Sequence, residues 1–201
     1  MNTKSIFLVI ALIVISFAGC NKSDSPVTPN EPQYLMPLAV GNYWIMVHSG
    51  FDSLGNNNYS ESDTVNVTGK TTINGETWYH FQESVMINRT DGVYLYNSSS
   101  SESLLMYKYP ANEGEKWTTK GTEFSLLSKN ENIIVPAGTF SCHKYHYTDS
   151  SIDYTGDMRI FNFTDWICPG KGLIKEEIYL QINSGGNFLI DILELKDYKL
   201  F

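Results

Sequence analysis

The sequence predicts an all-β fold, a curved antiparallel sheet closed into a half-barrel or barrel of about eleven strands. Three observations predict it. Apolar and polar residues alternate with a period of two in short runs, and helical periodicity is nearly absent. These runs are separated by Gly, Asn and Ser clusters, including Asn74-Gly75 and Asp91-Gly92, the dipeptides of tight hairpins. The chain is also 13% aromatic, with four Trp and thirteen Tyr, a composition that suits half-buried sheet faces.

In chain order, Tyr43–Ser49 is the first predicted strand and Asp52–Asn58 a loop. Ser62–Thr68 and Thr71–Ile73 precede the Asn74-Gly75 turn, which reads as a type I′ pair. Thr77–Ser84 returns from it. Val85–Asn88 and Val93–Asn97 flank Asp91-Gly92, read as a second turn of that kind, and Ser98–Ser101 is a polar loop. Leu104–Tyr109, Phe124–Ser128, Asn132–Val135 and Thr139–Thr148 continue the meander. Met158–Ile167 leads to Cys168-Pro169-Gly170, where Pro then Gly suits a type II turn. Leu173–Ile182 and Phe188–Leu195 close the sheet.

The stretch Ile133–Tyr147 is the most informative of these. Val135-Pro136-Ala137-Gly138 suits a type I turn, with Pro at its second position and Gly free to take a left-handed conformation at its fourth. In the strand beyond it Phe140, Cys142, Lys144 and His146 share one face, and Ser141, His143, Tyr145 and Tyr147 the other. A spacing echo accompanies it: Pro37-x3-Gly41-x2-Trp44 recurs as Pro110-x3-Gly114-x2-Trp117. The echo predicts two related meanders within one sheet system.

The N-terminus reads as a targeting signal. Met1–Lys4 is a short basic start, Ile6–Phe17 an apolar run, and Ala18-Gly19 are small. Phe17-Ala18-Gly19-Cys20 resembles the lipobox of bacterial lipoproteins. That resemblance implies cleavage before Cys20, a diacylglycerol on its sulfur and an acylated amine, hence a membrane contact through the lipid. Residues 1–19 are then the signal peptide and 20–33 the lipidated Cys and its tether. Pro26, Pro29 and Pro32 favour extended polyproline II there. Residues 34–201 are a single β domain, long enough for a core. Asn21 after the lipid Cys is compatible with outer-membrane sorting, facing either the periplasm or the outside.

The motifs P-x3-G-x2-W at Pro37–Trp44, V-P-A-G-T-F at Val135–Phe140 and P-G-x-G-L at Pro169–Leu173 occur in order. In this the chain resembles a group of secreted and lipid-anchored bacterial β proteins. The resemblance implies a curved sheet or half-barrel akin to lipoprotein carriers.

Charge and residue type narrow the function. The formal net charge is −8, and losing Lys4 with the leader makes it one unit more negative. An acidic domain with no basic run points away from nucleic acid and anionic lipid headgroups. With Cys20 lipidated, Cys142 and Cys168 remain, either as a disulfide of the oxidising envelope or as two buried thiols. No catalytic or metal-binding constellation stands out, and no cofactor is expected. His143 and His146, three apart in a strand, face opposite ways. Glu176 and Glu177 are adjacent and face apart. Asp52, Asn56 and Asn58 around Gly55, and Asp149, Asp153 and Asp157, are weak matches to a calcium loop.

Trp78, Trp166 and Tyr145 are the candidates for an aromatic binding surface. The expected function is a lipid-anchored, non-enzymatic interaction or binding module of the envelope, with a protein or apolar ligand as partner. Two alternatives stand beside it. A carrier of an apolar molecule requires a cavity of several hundred cubic ångströms. An envelope enzyme requires clustered ionisable groups with displaced pKa values.

Overall fold

The computed structural model describes residues 33–152, 156–182 and 186–201. Glu31–Phe201 form one compact unit. Twelve strands make a single antiparallel sheet that curls into a nearly closed barrel. They are β1 (Tyr43–Phe51), β2 (Asn57–Ile73), β3 (Glu76–Phe81), β4 (Ser84–Arg89), β5 (Gly92–Asn97), β6 (Glu102–Lys108), β7 (Lys116–Thr119), β8 (Thr122–Val135), β9 (Gly138–Ile152), β10 (Met158–Cys168), β11 (Gly172–Ile182) and β12 (Asn187–Lys199). The fold class is as the sequence predicts. The leader, Cys20 and most of the tether lie outside the described residues.

The spatial order is β6-β5-β4-β3-β2-β1-β12-β11-β10-β9-β8-β7. It consists of two six-stranded meanders, β1–β6 and β7–β12, joined where β1 pairs with β12. The two free edges, β6 and β7, come together through side chains. Thr119 Oγ1 donates to the Leu105 carbonyl at 2.7 Å, Lys120 pairs with Glu102, and Lys108 pairs with Glu115. Closure matters because an open edge is a template for unwanted strand pairing.

The echoed motifs occupy equivalent places. Gly41 and Gly114 both have positive φ, 97° and 78°, which glycine takes without steric cost. Each precedes the first strand of its meander. Gly41 N donates to Val67 O and Val67 N to Asn42 O, while Gly114 N donates to Leu126 O and Leu126 N to Glu115 O. Asn42 N to Ala39 O is likewise matched by Glu115 N to Asn112 O. In both meanders a bulge follows the buried partner, after Val67 in β2 and after Leu126 in β8.

Local chemistry explains where the elements differ from expectation. Asn74 and Gly75 both have positive φ, 52° and 82°, as a type I′ turn requires. Asp91-Gly92 is not such a turn. Arg89 pairs with Gly92, so Thr90-Asp91 form the loop and Gly92 opens β5. Lys120-Gly121, with φ of 53° and 87°, makes an unanticipated type I′ hairpin that creates β7. Gln82, at φ 52°, turns the chain between β3 and β4, where the sequence suggests continuous strand. Bulges let β2 and β8 run through positions that read as breaks, since an extra residue bends a strand without ending it.

The interior is dominated by Trp44, Met46, Val67, Val93, Leu126, Tyr145, Ile167 and Leu195, all buried. The segment before β1 covers one end, burying Leu35, Met36 and Leu38. It is held by Gly170 N to Tyr34 O at 3.0 Å and by Asn88 Nδ2 to Met36 O at 2.7 Å.

Candidate functional site

A set of polar side chains breaks the apolar pattern of the interior. On β10, Asp165 shares the parity of Phe161, Phe163 and Ile167. On β11, Glu176 lies directly opposite Asp165 in the ladder. Tyr107, from β6, reaches across the barrel and donates its hydroxyl to Asp165 Oδ2 at 2.7 Å. Asp165 is fully buried. An isolated carboxylate there would be costly, and hydrogen bonds and proton uptake are the two ways to relieve it.

Both occur. Burial, the neighbouring Asp165 charge and Asp191 push Glu176 up to about 9, so it holds a proton at neutral pH. Burial also raises Asp165, while its bonds from Tyr107 and Glu176 oppose that rise. The pair therefore shares one proton, carried on Glu176 and directed at Asp165. Asp165 Oδ1 has no hydrogen-bond partner among the described residues. Burial and the facing carboxylates lift Tyr107 and Tyr147 far above the usual phenol range. Tyr147 stacks on Phe163 at 4.6 Å, and Tyr145 packs edge-on to Tyr107 at 5.2 Å.

Beside this pair is a cavity of about 240 Å³, lined by inward side chains of eight strands and by Met36. Trp44, Phe81, Met46, Met86 and Leu193 form apolar walls, and Glu176, Tyr107 and Gln82 supply the polar atoms. Trp44 and Phe81 meet at 5.6 Å, tilted by 59°. Elsewhere on the interior face His48 Nε2 lies 2.6 Å from Asp191 Oδ2 and 3.1 Å from the Tyr59 hydroxyl. A larger, shallower cleft of about 480 Å³ lies against Tyr34, Pro37, Leu38, Tyr79 and Phe201. None of its lining side chains is a carboxylate or an ammonium.

The aromatic candidates do not form a surface. Trp78 and Tyr145 are almost wholly buried and Trp166 nearly so. Trp78 packs on Tyr96 at 5.5 Å and under Arg89. Tyr145 sits inside against Tyr107 and Trp117 and donates to Lys108 O at 3.0 Å. Trp166 points to the opposite face of β10 from Asp165, donates to Glu131 Oε1 at 3.0 Å, and has Lys144 and Lys175 over its ring. The three rings expected to form an aromatic binding surface are thus buried among separate sets of neighbours. Large rings gain most when buried, and each found its own neighbours.

Cys142 and Cys168 are both buried thiols, with their sulfurs within hydrogen-bonding reach of each other. Asp52 is committed to its own loop. Its Oδ1 accepts from Leu54 N and Asn56 N, both at 2.9 Å, and its Oδ2 accepts from Asn56 Nδ2 at 3.0 Å. Asp153 lies outside the described residues. Among the described residues no group of three or more His, Cys, Asp or Glu side chains is arranged to hold a metal ion.

No family model matches the chain, and no curated protein does. Two solved structures do. One is a candidate lipoprotein from Parabacteroides distasonis, 16% identical, with a TM-score of 0.53 over 84% of this chain and 100% of that one. The other is a candidate exported protein from Bacteroides fragilis described as having a YmcC-like fold, 13% identical, with a TM-score of 0.54 over 83% of this chain and 99% of that one. The barrel is a shared fold. At these identities the likeness speaks to architecture alone.

Asp165 and Glu176 escaped the reading of the sequence, which compared Glu176 only with its neighbour Glu177. A signal was available. Phe161-x-Phe163-x-Asp165-x-Ile167 and Ile174-x-Glu176-x-Ile178 each place a carboxyl on the apolar parity of a strand. That two such positions face each other depends on register, which a single strand does not reveal.

Proposed function

We propose that this protein is a lipid-anchored envelope protein whose β barrel is a non-enzymatic binding module. The observation that carries the binding role is the buried Tyr107–Asp165–Glu176 set beside a cavity. Barrels fill such positions with apolar side chains when stability alone is served. The lipobox at Phe17–Cys20 and the Pro-spaced tether support the anchored setting. The candidate lipoprotein and candidate exported protein that share the fold are in keeping with it, with the outer membrane as the expected location.

A carrier of long apolar molecules is less well supported. The cavity of about 240 Å³ is below the roughly 300–1,000 Å³ of pockets for drug-sized ligands. An enzymatic reading draws support from the same clustered carboxyls. However, the Glu176 proton is already directed at Asp165, which is fully buried.

Native mass spectrometry of residues 31–201, purified from the original host without added lipid, tests the binding role. A bound small species of discrete mass is the expected result. A bare mass from material shown by circular dichroism to be folded would remove the small-ligand role, and crosslinking in intact cells would then look for a protein partner.

A further inference from the structure

We infer that the interior cavity is a binding site for a small organic cation, an amine whose apolar body is no larger than one aromatic ring. The inference rests on reading the barrel as a binding module and names the class of ligand. Size comes first. An apolar cavity of about 150 Å³ holds a benzene-sized guest, so about 240 Å³ accommodates a ring with a short aminoalkyl arm. Shape and surface come next. Trp44 and Phe81 present rings at 59° to each other, and Met36, Met46 and Met86 are adaptable, polarizable walls. Aromatic faces of this kind attract cations as well as apolar groups.

Charge decides the head group. Glu176 is the one carboxyl lining the cavity. Behind it Asp165 is fully buried, and its Oδ1 has no hydrogen-bond partner among the described residues. Asp191 and Asp149 add negative potential to the same interior, since Asp191 acts on Glu176 and Asp149 on Tyr147. The facing groups are Tyr107 and Tyr147, with His48 bound to Asp191. An ammonium group at Glu176 substitutes for the shared proton. The proton leaves to solvent, Asp165 keeps its hydrogen bond from Tyr107, and the cation supplies the missing charge. An anion would meet the Glu176 carboxyl and the Tyr107 phenol with only the Gln82 amide and no cationic side chain to favour it, and a neutral ligand would leave the proton in place.

Binding of this kind releases one proton, so affinity rises with pH by up to about tenfold per unit while Glu176 is protonated in the free protein. The experiment is calorimetric titration of residues 31–201 with benzylamine, and with benzyl alcohol as the neutral match, at pH 6, 7 and 8. The amine is expected to bind more tightly than the alcohol, with a preference that grows about tenfold per unit. It should also release a proton, visible as a dependence of the heat on buffer ionisation.

Glu176→Gln, which keeps shape and removes charge, should lower amine affinity at least ~10-fold and flatten its pH profile. Alcohol binding should stay within about threefold, as expected for an unchanged apolar pocket. Equal binding of both probes, or an amine affinity unmoved by Glu176→Gln, overturns the cation assignment while leaving the barrel as a binding module. Binding of neither probe to folded protein overturns the cavity itself as a ligand site. The native mass measurement above then decides separately whether the module reading survives.

Discussion

Glu176 ties the stability of the barrel to pH. Its carboxyl is raised to about 9 in the folded protein, against about 4.3 for an unperturbed Glu. Between those values the folded state holds a proton that the unfolded chain has released. Stability therefore falls as pH rises through that window and levels off above it. Urea denaturation from pH 5 to 9 should show this decline, and Glu176→Gln should flatten it and be the more stable form at pH 8. A wild-type profile that rises from pH 5 to 8 would contradict the assignment.

Tyr107→Phe tests the same group from the other side. It removes the phenol donated to a buried Asp165, and a lost hydrogen bond to a charged group costs about 1.5–3 kcal/mol. The expected readout is a lower urea midpoint at pH 7, with less loss at pH 5, where Asp165 protonates more readily. An equal loss at both values would assign the effect to packing. At this scale the sequence was legible only in part. Alternation around Asp165 and Glu176 held a signal that went unread, but Tyr107 sits on a strand 58 residues away in the chain, and nothing local announces it.

At the level of strands, register does most of the work. His143 pairs with Ile167, so one step further along the antiparallel ladder sets Cys142 against Cys168. Directly opposed residues are about 4.5–5.5 Å apart at Cα, inside the roughly 4.4–6.8 Å that disulfides span. Hydrogen bonding from Cys142 and the nearby Lys171 hold Cys168 below the usual thiol range, which favours its attack on an oxidant's disulfide. Protein taken from an oxidising envelope should be lighter by two hydrogens than its reduced form. Titration of both thiols in that material would show that they stay apart. The alternation of β9 predicted which face Cys142 takes, and setting Cys20 aside left Cys168 as its candidate partner; that the two stand opposite each other came only with the sheet.

Turns belong to this scale too. Gly92 has φ 152°, and a Cβ there would sit 2.2 Å from the Tyr107 carbonyl oxygen and 3.1 Å from Lys108 Cα. Both are backbone atoms of the neighbouring strand and cannot swing aside. Gly92→Ala should cost at least ~2 kcal/mol from strain and displacement of β6. Gly75→Ala, in open space at φ 82°, should cost less. Comparable losses in thermal denaturation would mean that the close approach of β6 is not what demands glycine at 92. Asp91-Gly92 marked a hairpin correctly, but the need for glycine arises from a strand that pairs with it later in the chain.

For the whole molecule, the two meanders meet at the β1–β12 pair and close at β6 and β7. Matching hydrogen bonds at Gly41–Val67 and Gly114–Leu126 give each meander the same start. If lipid is what holds this barrel at the membrane, Cys20→Ala should leave the protein soluble or unprocessed on cell fractionation. A variant that still pellets with membranes would show that another part of the chain holds it there.

The sequence by itself determined the fold class, the doubling of the meander, the Asn74-Gly75 turn and the two-faced alternation of β9. Each of these follows from period-two patterning, backbone preferences of Gly, Asn and Pro, or a repeated spacing, all of which act over a few residues. Tertiary structure decided the rest. It gathered Tyr107, Asp165 and Glu176, buried Trp78, Trp166 and Tyr145 separately, opposed the two cysteines, and left a cavity against Trp44 and Phe81. Those outcomes depend on register and closure. Both are set by how distant strands bury their apolar faces together, and no single strand carries that information.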